Sequence, residues 1–174
     1  MEFLAEYESH RRLAQKRKLL LSLEPRHRPR GPRPTPQPYG VNSTGAEQLV
    51  ADWLRYLRHT RVQVTIRTND GGIDVMTSTH CCQVKNYDVT KVSVNEVREL
   101  FGVACSLKMK PLLFTSTSLT QAAEEFCALN AIAVIRFDAV LGELMAVNWD
   151  GDAFLRSCEF FHADSNLSNF DVPF

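Results

Sequence analysis

The chain has 174 residues, 44% apolar and 23% charged, which allows one buried core plus a tail. Its formal net charge is +0, yet the first 38 residues carry nine Lys/Arg against four acids and the remainder eleven against sixteen, so a neutral total does not exclude a polyanionic partner that meets a local basic patch. Five cysteines with no CxxC pair argue against a disulfide framework and a closed zinc site, and the lack of any run near ~20 apolar residues or of a signal-peptide pattern leaves a cytoplasmic, membrane-free protein as the expectation.

Residues 2 to about 22 read as a helix with a basic middle, "RRLAQKRK", and six prolines between Glu24 and Gly40 then fix φ and remove donors, the mark of an extended linker. Residues 1–38 are therefore expected to be a basic helical extension and Pro-rich linker, with the compact domain spanning 39–148 and a tail at 149–174. Inside the domain, Ala46, Leu49, Val50, Trp53, Leu54 and Leu57 recur with the 3.6-residue period of a helix buried on one face; Thr44 is positioned to cap it, with Glu47 three residues on. "RVQVTIR" alternates as a half-buried strand, and "GIDVMTSTHCCQVKNY" supplies two more strands around a turn. Ser93 and Glu96 form a second S-x-x-E pair ahead of Val97, Leu100, Phe101 and Ala104, so another helix starts there. "PLLFT" is a continuous apolar run typical of a strand covered on both faces, "SLTQAAEEFCALN" a capped helix, and "IAVIRF" a last strand. "AVLGELMAV" reads as a short helix and the chain from Asp150 on as irregular cover for a sheet edge. The order α-β-β-β-α-β-α-β implies an α/β domain whose mixed sheet is antiparallel early, parallel later, and flanked by helices.

The hairpin carries the chemistry. A turn at Ser78 and Thr79 pairs Met76 with Cys81, Val75 with Cys82, and Asp74 with Gln83, so Asp74 and Gln83 are expected to face each other, with Lys85 on the face of Gln83. Val75, Cys82 and Val84, with Ile73, are expected to form the apolar opposite face. Polar groups gathered on a sheet built for burial are costly unless they serve something. His80, Cys81 and Cys82 are consecutive on a strand and cannot all point at one ion; Asp70 reads as a turn former.

"TGAEQLVADWL", "TNDGGIDV", "CCQVKNY" and "VSVNEVRELFGV", taken in order, resemble the Mrr-like branch of restriction endonucleases within the PD-(D/E)XK nuclease superfamily. The resemblance implies a restriction-endonuclease-like αβββαβ core and a metal-dependent DNA endonuclease. In that family the aspartate after the glycines binds the divalent metal, a Q-x-K variant replaces (D/E)-x-K, and a glutamate on the preceding helix completes the site. Carried onto this chain, the implied catalytic residues are Asp74, Gln83, Lys85 and Glu47.

Independently of the family, phosphodiester hydrolysis needs an activated water and compensation of developing charge, which Mg²⁺ supplies, with Mn²⁺ as a substitute. Magnesium commonly takes one or two protein carboxylates; Asp74 and, as the resemblance implies, Glu47 would be those, with the Val84 backbone carbonyl as a further metal ligand and the Gln83 amide oxygen as a neutral ligand or the holder of a metal-bound water, while Lys85 can orient or deprotonate the water. Glu47 has a competing role as the capping partner of Thr44. DNA, with modified DNA among the options, is the expected partner, and double-strand cleavage favours a homodimer. A non-catalytic DNA-binding module on the same fold and a junction-resolvase-like nuclease stand as alternatives.

Overall fold

In the computed structural model, which describes residues 31–65 and 72–163 with side chains as far as Cys158, the 3.6-residue repeat around Leu49 becomes helix α1, Ser43–Tyr56. The helix expected over residues 2 to 22, Asp70, Gly71 and residues 164–174 lie outside the described residues. Three strands follow: β1 (Gln63–Val64), β2 (Val75–Met76) and β3 (His80–Lys85). Helix α2 (Val94–Leu107) leads to β4 (Lys110–Thr115), and α3 (Gln121–Leu129) to β5 (Ala133–Asp138). The chain then adds β6 (Glu143–Ala146) and α4 (Trp149–Ala163).

The six strands lie side by side in chain order. β1, β2 and β3 pair antiparallel. β3, β4 and β5 pair parallel, because each junction crosses over through a helix. β6 returns antiparallel along β5. The mixed α/β sheet inferred from the sequence is thus the sheet observed.

Two apolar clusters cover its faces. On one, Leu49, Val50, Trp53 and Leu54 of α1 and Phe154 and Cys158 of α4 pack on Val75, Cys82, Leu112, Phe114 and Ile135. On the other, Val97, Leu100 and Ala104 of α2 and Ala123 and Cys127 of α3 pack on Cys81, Leu113, Ile132 and Val134. The parallel strands are apolar on both faces because each face carries helices.

Two elements differ from expectation. The chain read as a short helix over "AVLGELMAV" is a turn and a strand: the Leu141 and Gly142 amides both return to Asp138, Gly142 takes φ +67, and β6 then pairs with β5. A left-handed glycine in the middle of that apolar run ends any helical path and starts a reversal. The stretch from Asp150, read as irregular, is helical to Ala163. Asn148 accepts from the Gly151 amide at its start, and Phe154 and Cys158, one turn apart, fill the core; the polar Asp150, Asp152, Arg156 and Ser157 dilute that period in the sequence.

Part of the Pro-rich segment read as linker lies against the domain. The Gln37 amide donates to Ala139 O at 2.7 Å, the Arg33 guanidinium donates to Gly142 O at 3.1 Å, and the same guanidinium sits 5.6 Å from the Trp53 ring centroid.

Candidate active site

The hairpin keeps the expected pairs, Val75 with Cys82 and Met76 with Cys81, but slips at the next residue. The Asp74 amide donates to Cys82 O at 2.9 Å, so two residues of one strand share one opposite residue, a bulge. Face-to-face pairing of Asp74 with Gln83 is therefore replaced by a different set of contacts. Asp74 Oδ2 accepts from the Val84 amide at 2.7 Å, and the Gln83 Nε2 amide donates to Gly72 O at 3.0 Å. The bulge also reverses the alternation upstream of it: Ile73 packs in the cluster of Cys81, opposite Val75, Cys82 and Val84, rather than with them.

Gly72 is held by two constraints at once. It has φ +79, and a Cβ there would stand 3.1 Å from Gln83 Nε2. Since a carbonyl can only accept, the bond to Gly72 O fixes which end of the Gln83 amide is nitrogen and turns Oε1 the other way. Gln83 is 2% exposed and Oε1 has no hydrogen-bond partner. Among the described residues it is the buried side-chain oxygen left without one. An unsatisfied buried acceptor costs on the order of 1–3 kcal/mol. Because N–H and C=O of one strand residue point to the same side, the Val84 carbonyl faces the edge where its amide meets Asp74, past the end of the two-residue β2.

Lys85 stands on the opposite side of the strand from Val84, toward α2. Its Nζ lies 3.3 Å from Glu96 Oε1, which also accepts from the Tyr87 hydroxyl. Glu96 Oε2 accepts from the Ser93 amide and hydroxyl, both at 2.8 Å, and so completes the capping box foreseen from Ser93 and Glu96. Burial alone would push the Glu96 carboxyl up, but hydrogen bonds from Tyr87 and Ser93 and the charge of Lys85 outweigh it and bring the group down to about 2. The Tyr87 hydroxyl is pushed up to about 12, first by its bond to Glu96, then by burial and by the charges of Glu96 and Asp74. The Asp74 carboxylate is thus close enough to Tyr87 for its charge to be felt.

Glu47 is 9% exposed on α1. Its expected competing role disappears: the helix starts two residues earlier than a Thr44 cap requires, and Asn42 is the cap, accepting from the Gly45 amide at 2.8 Å. The Asn86 side chain donates to Val41 O at 2.7 Å and ties the start of α1 to the end of β3. Glu47 and α1 lie on one face of the sheet and Gln83 and Lys85 on the other, while Asp74 stands just before β2, between Thr65, whose amide donates to Asp74 O at 2.9 Å, and β3.

The restriction endonuclease family defined by the Mrr catalytic domain matches residues 40–144. The chain belongs to this Mrr-like restriction endonuclease family. No curated relative and no solved structure matches the chain. The matched span of this Mrr-like chain runs from the residue before α1's capping loop into β6, and so holds Glu47, Asp74, Gln83, Val84, Lys85 and Glu96. Helix α4 and the docked proline segment lie outside it.

In this Mrr-like domain the other candidates fall elsewhere. Cys81 and Cys82 are fully buried on opposite faces, and burial pushes the thiol of Cys81 up to about 11 and that of Cys82 well above its ordinary value. His80 turns away to Thr79 Oγ1, at 2.8 Å, and to the rings of His59 and Phe154. Ser116 accepts from the Tyr87 amide at 2.8 Å and donates to Tyr87 O at 2.7 Å, while Thr120 caps α3. Among the described residues no three His, Cys, Asp or Glu side chains gather as a metal cluster. The donors expected from the sequence, two carboxylates, an amide oxygen and a backbone carbonyl, are all oxygens, the chemistry that would suit a hard cation such as Mg²⁺. The buried, partnerless Oε1 of Gln83 is the feature that fits such an ion.

Sequence reasoning passed over the engagement of Glu96 and Tyr87 with Lys85. The capping signal explained Glu96 fully at the local level.

Proposed function

We propose that the chain is a metal-dependent DNA endonuclease that hydrolyses phosphodiester bonds. The observation that carries this reading is the buried Gln83 Oε1 without a hydrogen-bond partner, on the strand whose next amide is held by Asp74. Asp74, Glu47, the Gln83 amide oxygen and the Val84 carbonyl would hold Mg²⁺, with Mn²⁺ as a substitute. The ion would activate the attacking water and offset charge on the phosphorane and leaving oxygen.

The chain's own residues do the rest. Asp74 is fixed at the start of β2 by the Val84 amide, so its carboxylate needs little reorganisation to act. Gln83 provides an oxygen without a second full negative charge, which lowers repulsion among the acids and toward the incoming phosphate. Lys85 presents an ammonium that can orient the water and balance phosphate charge. DNA is the proposed substrate, and a homodimer the proposed form for cutting both strands.

The test is incubation of purified protein with methylated and unmethylated supercoiled plasmid in Mg²⁺, Mn²⁺ or chelator, alongside Asp74→Asn. Nicking should require the metal and fall by roughly 1,000-fold or more in the variant, with the fold and most DNA binding retained. Cleavage by the wild type that persists in chelator would overturn the reading.

A further inference from the structure

Lys85 is a four-carbon side chain at the end of a strand, free by itself to sample many rotamers. In the structure its ammonium is held in place by a carboxylate that is itself held. Glu96 divides its two oxygens: Oε2 is engaged by the Ser93 amide and hydroxyl at the start of α2, and Oε1 takes Lys85 Nζ at 3.3 Å together with the Tyr87 hydroxyl. The pair is largely shielded, with the Lys85 and Glu96 side chains 19% and 22% exposed. The helix start that carries Glu96 is anchored in turn, because the Val92 amide donates to Ser118 O at 3.1 Å and the Thr120 amide to Val92 O at 2.9 Å. A carboxylate near a helix N-terminus is also favoured by the helix dipole.

We propose that Glu96 is a positioning residue for Lys85. The first turn of α2 serves as a rigid arm whose carboxylate, with Tyr87, fixes the direction of the ammonium at the end of β3. Glu96 does not touch substrate; it acts through Lys85. The inference rests on the reading of Lys85 as a group of the endonuclease site.

Glu96→Gln tests it, because glutamine at this position still closes a capping box while it removes the charge that holds Lys85. Thr120→Ala serves as the control, since it uncaps α3 and leaves the Lys85 contacts in place. On supercoiled plasmid with Mg²⁺, Glu96→Gln should lower kcat by roughly 10- to 100-fold, the size expected of a misplaced catalytic group, with KM and Tm nearly unchanged. Thr120→Ala should lower Tm and leave kcat alone. In parallel, ¹⁵N relaxation of the Lys85 ammonium is recorded on lysine-labelled protein without DNA or metal; it should show a restricted group in the wild type and Thr120→Ala, and a freely rotating chain in Glu96→Gln. Wild-type kcat in Glu96→Gln, a kcat loss that merely tracks Tm, or an equally restricted ammonium would each overturn the proposal. If the wild type cuts no plasmid, the endonuclease reading falls, and the relaxation experiment alone decides whether Glu96 positions Lys85.

Discussion

The two halves of the sheet are built to different rules. β4 and β5 are six residues long and pair in unbroken register, and Leu112, Leu113, Phe114 and Ile135 bury both faces completely. β1 and β2 have two residues each, and a bulge interrupts the hairpin at Asp74. Buried polar side chains differ in how they are satisfied. Thr115, at the far end of β4, is satisfied by Thr117 in its own turn, and Thr77 by the hairpin turn. Gln83 keeps an acceptor unsatisfied, and Glu47 is a carboxylate nearly withdrawn from water. The regular half supplies the stability that lets the irregular half keep an edge where polar atoms point away from the ladder.

The largest effect that separates the halves is expected from Phe114→Ala. Phe114 is fully buried between the layers, and truncation should cost about 3–5 kcal/mol in denaturant unfolding, with nicking by the surviving folded fraction unchanged. A loss under about 1 kcal/mol would mean that the regular half is not the stabilising one.

Gln83→Leu should show the reverse. It removes both the donor to Gly72 and the unsatisfied Oε1, so unfolding free energy should stay within about 1 kcal/mol of wild type, while plasmid nicking falls roughly 100-fold, about 2.7 kcal/mol. Gln83→Glu sharpens the point: it keeps an oxygen but cannot donate to Gly72 O, and should retain part of the activity. Full activity in Gln83→Glu would make the glycine bond dispensable; full activity in Gln83→Leu would remove Gln83 from the site.

The smallest effect lies where the halves meet. The His59 ring stacks on Phe154 at 5.3 Å and lies 5.3 Å from the His80 ring. Burial pushes His59 down to about 4, and burial with the nearby charges of His59 and Lys110 does the same to His80. Between the unfolded value near 6.5 and about 4, the unfolded chain binds more protons than the folded one, so stability should fall as pH drops through that window. His59→Phe, which keeps an aromatic ring, should flatten that fall by about 1–2 kcal/mol after allowance for partial exposure. Chemical unfolding of both proteins at pH 7 and pH 4.5 measures it, and parallel curves would mean that the pair titrates normally.

What the sequence made legible follows from this division. A 3.6-residue period placed α1 and α2, a capping signal α3, alternation the hairpin strands and apolar runs β4 and β5, because burial and capping leave their pattern along the chain. Local chemistry was legible only where nothing distant competed. Ser93 and Glu96 formed their capping box, whereas Thr44 and Glu47, with the same spacing, lost the cap to Asn42 because Asn86 pins the preceding residue to β3. The bulge at Asp74 has no signature in residue type, so the pairing of Asp74 with Gln83 was drawn one step out of register. Helix α4 was hidden because, among its described residues, Phe154 and Cys158 enter the core cluster and Leu155 packs against it, with polar residues between them. Asp74, Gln83 and Lys85 were visible as a set because polar residues at alternate strand positions stand out against apolar neighbours.

The docked proline segment sets where the domain can be cut. A chain begun at residue 40 would keep every residue the family match spans, yet it would strip Arg33 from the face of Trp53, Gln37 from the Ala139 carbonyl and Pro36 from its place 3.1 Å from where a Gly142 side chain would start. Leu49 and the outer side of α1 would be newly wetted, and the β5–β6 reversal would lose its outer brace. A chain meant to keep these contacts should therefore include Arg33, Pro36 and Gln37 rather than begin at residue 40.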